Sequence, residues 1–496
     1  MTEHGRRLGR RSVATGLAAG ALGALAGVGG RGQAQAQDRS GASGQTDETP
    51  LREAVGKLAE RVGKLGGTVG VAVVEVNSGR ALVEHEADRA LNPASNAKLA
   101  TAATALAKLG PEHRFATSVE GRLKGGVARS LVLRGTGDPS LTEADIGALA
   151  SELKAAGLTR VDGEVLVDQG FFDDLFVPPA FEQQPGEWAW FRAPVSAVAV
   201  DGNTVSLRVR PGDEGEAAVV SATPAGFVDI DGTVQTIKGK AQTLTLALEP
   251  AGKRLRARVG GAIPVGKPVT LVRRVDDPSL LAGHALRAAL IERGVTVRGE
   301  VRAGGETTKG GTLAQRRSRP LGQLVHELGK QSDNFVAEML FKALALESKG
   351  RPAHAADGAS VVEAYLREIG AWQDGFVVKN GSGLFDANRT TTRGLVKLLR
   401  HAWREPTYGS EFVAQLAVGG QDGTLRGRFR KAAPGALRAK TGTLDAVVAL
   451  SGYVLAPAGR DPLAFSILVN GVSGHASEAR DAIDRMADAL LRRQWG

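Results

Sequence analysis

The sequence predicts an α/β fold of the α+β kind, in which an antiparallel sheet is flanked by helices and interrupted by inserted β-rich domains. Strand patterns stand at both ends of the chain: residues 70–76 and 80–84 indicate one hairpin, and residues 447–454 and 463–469 indicate another. The chain between them is mainly helical, except for residues 116–275, where short alternating strands and turns dominate. Strands from both ends therefore complete one sheet, against which the helices pack.

The N-terminus predicts an export signal. Arginine pairs at positions 6–7 and 10–11 precede an apolar run over residues 13–28, and Ala34-Gln35-Ala36 fits a small-x-small cleavage site. Residues 1–36 are therefore predicted to be a signal peptide, which makes the protein exported, periplasmic or otherwise extracytoplasmic. The alternative is a membrane anchor, but the run is short and rich in Gly and Ala, and no other stretch is apolar enough to span a membrane.

The remaining chain divides into four segments by composition and pattern. Residues 37–50 are polar and rich in Gly, Ser and Asp, which is typical of a disordered linker. A chain of 496 residues exceeds one ordinary core, so more than one domain is expected. Residues 51–115 and 276–496 are predicted to form the two parts of one domain, separated by one or two inserted β-rich domains at residues 116–275. A separate tandem domain is the alternative for that middle segment.

Composition excludes several classes of enzyme. The chain has no cysteine, which excludes disulfides, thiolate catalysis and cysteine-based metal sites. Its histidines form no His-Glu-x-x-His sequence and no serine lies in a Gly-x-Ser-x-Gly turn, which argues against a zinc hydrolase and an α/β-hydrolase. The formal net charge of +10 suits an anionic partner such as a cell-wall polymer, but no basic and aromatic clusters indicate nucleic acid. Neither a metal nor another cofactor is predicted.

The segment around Ser95 carries the first chemical signal. Asn92 is predicted to cap a helix that has Pro93 at its first position, so Ser95 lies in the first turn, where free backbone N–H groups gather. Lys98 follows three residues later on the same face. A neutral lysine beside a serine can accept the hydroxyl proton and activate the oxygen as a nucleophile.

Two further motifs follow in order, Ser332-Asp333-Asn334 and Lys440-Thr441-Gly442. Each motif alone also has a structural explanation. The spacing of Ser95 and Lys98 can occur by chance, as it does in Ser151-Glu152-Leu153-Lys154 on a predicted exposed helix face. Ser332-Asp333 could be only a helix cap, and Lys440-Thr441-Gly442 only a strand end. All three motifs in this order and in these structural contexts indicate a serine enzyme that works by acyl transfer.

The chemistry of each side chain suggests its role. Ser95 is predicted to be the nucleophile and Lys98 its base, with Lys440 staying charged and keeping Lys98 neutral by repulsion. Ser332 can relay a proton to the leaving amine. Asn334 can orient Lys98 and form a hydrogen bond with a substrate amide.

The third motif is predicted to bind substrate. Lys440 and the hydroxyls of Thr441 and Thr443 can hold a terminal carboxylate. Gly442 lets the substrate backbone approach the strand closely. The backbone N–H groups of Ser95 and Thr443 are predicted to form an oxyanion hole.

At these residues the chain resembles the low-molecular-mass class C penicillin-binding proteins, which are D-alanyl-D-alanine carboxypeptidases and endopeptidases of the bacterial cell wall. The resemblance covers nearly everything after the signal, including the long gap from Lys98 to Ser332, where this family inserts extra domains. Beyond the three motifs it rests on four segments: Gly135-Thr136-Gly137-Asp138-Pro139-Ser140-Leu141, Gly381-Ser382-Gly383-Leu384, Gly420-Gln421-Asp422-Gly423-Thr424-Leu425 and Ala439-Lys440-Thr441-Gly442-Thr443-Leu444.

The resemblance implies a fold, an activity and partners. The fold is a transpeptidase/β-lactamase-like domain. The activity is cleavage of the D-Ala-D-Ala terminus of peptidoglycan stem peptides, with D-Ala-diamino acid cross-links as a second substrate, through an acyl-Ser95 intermediate. β-Lactam antibiotics such as penicillin are the implied inhibitors.

The chain also departs from the usual pattern of this family. Asn380 and Phe385 occupy the ends of a segment that usually reads Asp-Gly-Ser-Gly-Leu-Ser. Asp168, in Val167-Asp168-Gln169, resembles an aspartate with which some members bind the diamino acid of the stem peptide. An aspartate that merely ends a strand is the alternative for that position.

Two other functions remain open from the sequence. One is a serine β-lactamase or esterase of the same superfamily, although no Glu-x-x-Leu-Asn segment that would supply a deacylating glutamate follows Ser332. The other is a non-catalytic muropeptide-binding protein, against which stands the presence of every residue of the three motifs.

Overall fold

The computed structural model describes residues 48–184, 186–240, 242–305, 310–430 and 433–496. The predicted signal peptide and most of the predicted linker lie outside these residues. The linker prediction nevertheless overlaps the first helix, because Thr49 and Pro50 already belong to it, with Pro50 in the first turn where proline fits best. None of the described helices is long and apolar enough to cross a membrane.

The described residues form ten α-helices: α1 Thr49–Lys64, α2 Ala97–Leu109, α3 Glu143–Ala155, α4 Leu281–Glu292, α5 Leu321–Gln331, α6 Asn334–Lys349, α7 Ala355–Glu368, α8 Thr392–Arg404, α9 Gly409–Ala414 and α10 Ala476–Trp495.

They also form twenty-one strands: β1 Thr68–Glu75, β2 Ala81–His85, β3 Ala116–Lys124, β4 Val127–Gly135, β5 Arg160–Val161, β6 Val165–Asp168, β7 Thr204–Arg210, β8 Val219–Thr223, β9 Val228–Gly232, β10 Gln235–Ile237, β11 Thr245–Ala251, β12 Arg254–Gly260, β13 Ala262–Pro264, β14 Val269–Arg274, β15 Thr296–Val297, β16 Val301–Ala303, β17 Gly311–Arg317, β18 Ala417–Val418, β19 Leu437–Leu444, β20 Val447–Val454 and β21 Leu463–Asn470.

Strands from the two ends of the chain build one antiparallel sheet, in the order β18-β19-β20-β21-β1-β2. The central strands β20, β21 and β1 are buried on both faces, which is why they are nearly continuous apolar runs. Helices α1 and α10 cover one face of the sheet with one apolar core. Helices α2, α5, α6, α7 and α8 cover the other face with a second core.

The middle of the chain forms a second, β-rich region. Its main sheet joins β15, β5, β4, β3 and β17, and β6 and β16 extend it, while three small sheets are built from β7 to β14. Strand β17 pairs antiparallel with β3, and helix α4 shares the apolar core of this region with α3. The β-rich region therefore runs from residue 116 to residue 317, rather than ending at residue 275 as predicted.

The predicted strand at residues 161–168 is also divided in the structure. Asp162, Gly163 and Glu164 separate β5 from β6, and the two short strands pair with different parts of β4. A small apolar cluster that combines residues near Phe172 and Val195 with Phe335 and Met339 packs the β-rich region against α6. This contact brings the β-rich region to the edge of the site described below.

Candidate active site

Ser95 lies in a 3-10 turn, Ala94–Asn96, that precedes helix α2. Ala94 has a left-handed φ of 45°, a conformation that an α-helix does not contain, and α2 begins at Ala97, after the 3-10 turn. The predicted cap and first helical position therefore differ from the structure. Pro93 is the N-cap of the 3-10 turn, and Asn92 Oδ1, one residue earlier, accepts a hydrogen bond from the Ala94 backbone N–H at 2.8 Å.

Hydrogen bonds tie this turn to the central sheet. The Asn92 backbone N–H donates to Asn470 Oδ1 at 2.8 Å, and Asn470 Nδ2 donates back to the Asn92 carbonyl at 3.0 Å. Asn96 Nδ2 donates to Ser451 Oγ at 2.7 Å. Because Asn470 and Ser451 lie on β21 and β20, the position of Ser95 is set by the most buried strands of the protein.

Two glycines allow this turn to pack closely against its neighbours. Gly383 has a φ of 73°, and a Cβ there would lie 1.9 Å from the Ala94 carbonyl oxygen. A Cβ on Gly442 would lie 3.0 Å from the Pro93 carbonyl oxygen and 3.1 Å from Ala94 Cβ. The side of Gly442 that lacks a Cβ thus contacts the turn that carries Ser95. The prediction instead gave close approach of the substrate backbone as the reason for a glycine at this position.

Lys98 lies fully buried behind Ser95. Its Nζ donates to three oxygens: Ser95 Oγ at 3.0 Å, Asn334 Oδ1 at 2.6 Å and the Ser382 carbonyl at 2.7 Å. Burial lowers the pKa of Lys98 to about 7, and the negative charges of Glu338 and Asp333 oppose this change. Burial is thus the main reason why the neutral amine is populated near neutral pH, whereas the prediction gave repulsion by Lys440 as the reason.

Asn334 is placed by the junction of α5 and α6. Ser332 ends α5 with a left-handed φ of 59°, and Asp333 then caps α6 by accepting a hydrogen bond from the Val336 N–H at 3.1 Å. Asn334 Nδ2 donates to the Phe191 carbonyl at 2.9 Å. The Asn334 amide thus contacts Lys98 through its oxygen and the β-rich region through its nitrogen, and its predicted hydrogen bond with a substrate amide stays a prediction.

Lys440 is buried on the opposite side of the site. Its Nζ donates to Ser332 Oγ at 2.7 Å and to the Thr441 carbonyl at 2.8 Å. Burial, together with the positive charge of Lys98, lowers the pKa of Lys440 well below its usual value. The environment of Lys440 thus favours loss of its proton, whereas the prediction that Lys440 stays charged to hold a carboxylate remains a prediction.

The edge of strand β19 is open beside these groups. The Leu437 carbonyl accepts a hydrogen bond from the backbone N–H of Gly419, which follows β18, and backbone groups four and six residues further along an antiparallel strand point the same way. The backbone groups of Thr441 and Thr443 therefore face the same side, where β18, which is only two residues long, does not reach them. Thr441 Oγ1 donates to Thr424 Oγ1 at 2.9 Å, so the Gly420–Leu425 segment lies beside this edge.

A buried carboxylate, Glu338, lies beside these groups and was not predicted from the sequence. It accepts backbone hydrogen bonds from Gly381 at 3.1 Å and Ser382 at 2.8 Å, and it is 2% exposed. Burial raises the pKa of Glu338, and those hydrogen bonds and the charge of Lys98 oppose this change. The signal was present in the sequence, because Glu338 lies one helical turn after Asn334 in an otherwise apolar stretch of α6.

The structure does not join Asp168 to this cluster. Its carboxylate accepts hydrogen bonds from Arg134 Nε at 2.7 Å and from the Gly170 N–H at 2.9 Å, both within the β-rich region. The alternative of a strand-end aspartate describes this arrangement. Ser151, the chance match on α3, donates to the Gly147 carbonyl and accepts from Arg293 Nε.

Within the described residues, no group of three or more His, Asp or Glu side chains could hold a metal ion. The site consists of serine and threonine hydroxyls, one asparagine amide, two buried lysines and a buried carboxylate. Hydrogen bonds join Ser95, Lys98 and Asn334 in one group and Ser332 and Lys440 in another, and the Ser332-Asp333-Asn334 segment links the two groups along the chain. This arrangement can activate a serine oxygen and can hold an anion beside it.

Comparison with known sequences identifies the family of this chain. A model of the D-Ala-D-Ala carboxypeptidase 3 (S13) family matches residues 51–490. A D-alanyl-D-alanine carboxypeptidase of Actinomadura sp. (strain R39) is 37% identical over 456 residues, which cover 88% of this chain and 84% of that protein. The D-alanyl-D-alanine carboxypeptidase DacB of Haemophilus influenzae is 25% identical over 422 residues, which cover 82% of this chain and 86% of that protein.

Comparison with solved structures identifies the same fold. The crystal structure of penicillin binding protein 4 from Haemophilus influenzae matches with a TM-score of 0.73 and 25% identity over 89% of this chain and 98% of that chain. A predatory endopeptidase of Bdellovibrio bacteriovorus shares the fold, with a TM-score of 0.52 and 14% identity over 86% of this chain and 94% of that chain. These matches confirm the predicted fold class, a transpeptidase/β-lactamase-like α/β structure.

Proposed function

Because this chain belongs to the D-Ala-D-Ala carboxypeptidase 3 (S13) family, we propose that it is a serine DD-peptidase that hydrolyses the D-Ala-D-Ala terminus of peptidoglycan stem peptides through an acyl-Ser95 intermediate. The observation that carries the proposal is the 3.0 Å hydrogen bond between the fully buried Lys98 Nζ and Ser95 Oγ. Its surroundings lower the pKa of Lys98 to about 7, so that a neutral amine is present at the pH of the reaction.

Acylation starts when neutral Lys98 accepts the Ser95 proton and Ser95 Oγ bonds to the carbonyl carbon of the penultimate D-Ala. The carbonyl oxygen takes up negative charge, for which the N–H groups of Ser95 and Thr443 are the proposed donors. The open edge of β19 supports the assignment of Thr443, because its backbone groups face the same side as those of Thr441.

The leaving amine then needs a proton. Ser332 Oγ accepts a hydrogen bond from Lys440 Nζ at 2.7 Å, so Ser332 can pass a proton to the nitrogen of the departing D-Ala while it receives one from Lys440. Protonated Lys440 and the hydroxyls of Thr441 and Thr443 are the proposed ligands of the terminal carboxylate. The proton that Lys98 took from Ser95 replaces the one that Lys440 gave up, which makes Lys98 neutral again. Lys98 can then accept a proton from the water that attacks the acyl-Ser95 ester and return it to Ser95 Oγ as the shortened peptide leaves.

The open edge of strand β19 supports a peptide as the class of substrate. A peptide that lies along β19 can pair with the backbone groups that β18 leaves open, in the manner of an added strand. Peptidoglycan lies outside the cytoplasmic membrane, so this substrate agrees with the export signal predicted at residues 1–36. We therefore propose stem peptides as the partner and an extracytoplasmic location as the place of action.

Labelled penicillin tests the proposal. The mature protein is mixed with it and the adduct is followed over time, while release of D-alanine from a D-Ala-D-Ala peptide is measured in parallel. We expect a stable adduct on Ser95 together with D-alanine release, and the loss of both in Ser95→Ala, with folding unchanged in circular dichroism. The variant Ser151→Ala is the matched control and should behave like the wild type, because Ser151 bonds only within α3 and to Arg293.

Other results would contradict the proposal. Rapid turnover of penicillin without D-alanine release would indicate a β-lactamase, and the absence of any adduct would indicate a binding protein. An adduct that persists in Ser95→Ala would show that the nucleophile is wrongly assigned. Comparing a cross-linked with an uncross-linked muropeptide then measures whether the enzyme also cleaves cross-links, which we include as the second proposed substrate.

A further inference from the structure

Glu338 contacts the loop that lies behind Lys98. Its Oε1 accepts a hydrogen bond from the Ser382 N–H at 2.8 Å, and its Oε2 accepts one from the Gly381 N–H at 3.1 Å. These two accepted hydrogen bonds favour the ionised carboxylate, whereas burial has the larger, opposite effect and raises the pKa of Glu338. The side chain is 2% exposed, so this carboxylate is held inside the protein without direct access to solvent.

The same loop supplies an acceptor to the proposed base. The Ser382 carbonyl accepts a hydrogen bond from Lys98 Nζ at 2.7 Å, so one peptide segment joins Glu338 to Lys98. Thr101 Oγ1 holds the segment from helix α2 by donating to the Gly381 carbonyl at 2.7 Å. Glu338 and Thr101 therefore hold the same loop, Glu338 through a carboxylate and Thr101 through a neutral hydroxyl.

The charges around Lys98 come from several elements. Glu338 and Asp333 contribute negative charge, while Lys440 on β19 contributes positive charge. One turn beyond Glu338 on α6, Lys342 is buried and paired with Asp173. The charge of Glu338 raises the pKa of Lys98 against the larger effect of burial, and the result is a pKa of about 7.

We propose that Glu338 is a positioning residue for the acylation of Ser95: it holds the Ser382 carbonyl against Lys98 and places a negative charge beside the Lys98 amine. The proposal rests on the proposed function. It adds a residue outside the three motifs to the machinery that sets both the position and the proton affinity of the base.

The test is the pH dependence of acylation by labelled penicillin in the wild type, Glu338→Gln and Thr101→Val. Glu338→Gln removes the charge and replaces one acceptor with a donor. We expect its plateau rate to fall about 10-fold, which is less than the loss from a full 1 Å misplacement. We expect the midpoint of its profile to fall by about one pH unit, because an opposite charge no longer favours the protonated amine. Thr101→Val loosens the loop without changing charge, so its rate should fall with the midpoint unchanged.

Each result separates the proposal from its alternatives. A Glu338→Gln profile with a wild-type midpoint and a lower plateau would show that Glu338 only supports the fold, which overturns the proposal. A profile identical to the wild type would overturn it as well. A wild-type protein that is not acylated at all would overturn the proposed function itself, which is a different failure.

Glu338→Asp provides a second variant should the glutamine variant not fold. It keeps the charge but shortens the side chain by one methylene, so the loop contacts weaken. We expect slower acylation with a midpoint close to that of the wild type. Acylation at the wild-type rate by both Glu338→Asp and Thr101→Val would show that the loop needs no such support and would overturn the proposal.

Discussion

Lys98 Nζ lies 3.0 Å from Ser95 Oγ, and the lysine that makes this contact has no measurable solvent exposure. An ammonium group in that position would lose its hydration, and only part of the loss is replaced by the three oxygens around it. The protein therefore holds the amine in an environment where the neutral form competes with the charged one. A hydrogen-bonded serine next to such an amine is already in place for proton transfer.

The first prediction concerns the pH dependence that follows. Since the pKa of Lys98 is about 7, the fraction of neutral amine rises as the pH increases through that value. We expect the rate of acylation by penicillin to rise with it and to level off above about pH 8. In Lys98→Arg the group stays protonated, so acylation should fall by at least about 10²-fold. Stopped assays at several pH values measure the acylation rates of the wild type and of Lys98→Arg. A Lys98→Arg variant that is acylated at the wild-type rate at pH 7 would contradict the assignment of Lys98 as the base.

The second prediction concerns a negative charge placed beside Lys98 by the substitution Asn334→Asp. Asn334 Oδ1 lies 2.6 Å from Lys98 Nζ, so Asn334→Asp keeps an acceptor there and adds a negative charge. This charge favours the ammonium form, raises the pKa of Lys98 and should move the midpoint of the acylation profile to higher pH by about one unit or more.

Asn334→Ala serves as the control for that variant. It removes the hydrogen bond to Lys98 and the one to the Phe191 carbonyl without adding charge. Its rate should fall without a shift to higher pH. Equal midpoints in Asn334→Asp and Asn334→Ala would mean that Lys98 is not the group that titrates in the profile.

The third prediction concerns proton uptake at Lys440. In the free protein burial lowers the pKa of Lys440, whereas a bound carboxylate would favour the ammonium and raise it. Binding of a D-Ala-D-Ala peptide should therefore take up a proton at pH values between the free and bound pKa, and affinity should decrease as the pH rises through this range. Calorimetry with Ser95→Ala in buffers of different ionisation enthalpy measures the uptake.

Two matched comparisons check the source of that proton. A peptide with a C-terminal amide lacks the carboxylate, so its binding should take up no proton through Lys440. Lys440→Arg carries a permanent charge and should likewise show no uptake when it binds the carboxylate peptide. Equal proton uptake by the acid and amide peptides would contradict the role of Lys440 as the carboxylate ligand.

The sequence allowed most of the site to be predicted because its motifs are local. Ser95 and Lys98 lie within one turn and the start of the following helix, and Asp333 and Asn334 start another helix, so their spacing carries their geometry. Glu338 was missed because its position in an otherwise apolar stretch of α6 marks it as a buried carboxylate but does not show which distant loop it holds. The role suggested for Asp168 stays a prediction, and the sequence does not show that Arg134 on the neighbouring strand pairs with its carboxylate.

The end of the β-rich region was missed for a related reason. Strand β17 is Gly311–Arg317 and has few apolar residues, so its own pattern is weak. Its assignment depends on pairing with β3, almost two hundred residues earlier in the chain. The central sheet could be predicted more easily, because β1, β20 and β21 are buried on both faces and show continuous apolar runs.

The last prediction tests the close packing of the Ser95 turn against the loop behind it. Gly383 and Gly370 have similar left-handed φ values, 73° and 67°, but a Cβ on Gly383 would lie 1.9 Å from the Ala94 carbonyl oxygen, whereas a Cβ on Gly370 would meet nothing within 4 Å. Gly370→Ala should therefore lower the free energy of unfolding only by the cost of the left-handed conformation, about 1–2 kcal/mol. Gly383→Ala must in addition displace the residue before Ser95, so it should destabilise the protein more and also slow acylation, while Gly370→Ala acylates normally. Urea unfolding measures the stability of the two variants, and penicillin labelling measures their acylation rates. Equal stabilities and equal acylation rates for Gly383→Ala and Gly370→Ala would show that the turn can move away from Gly383 without affecting Ser95.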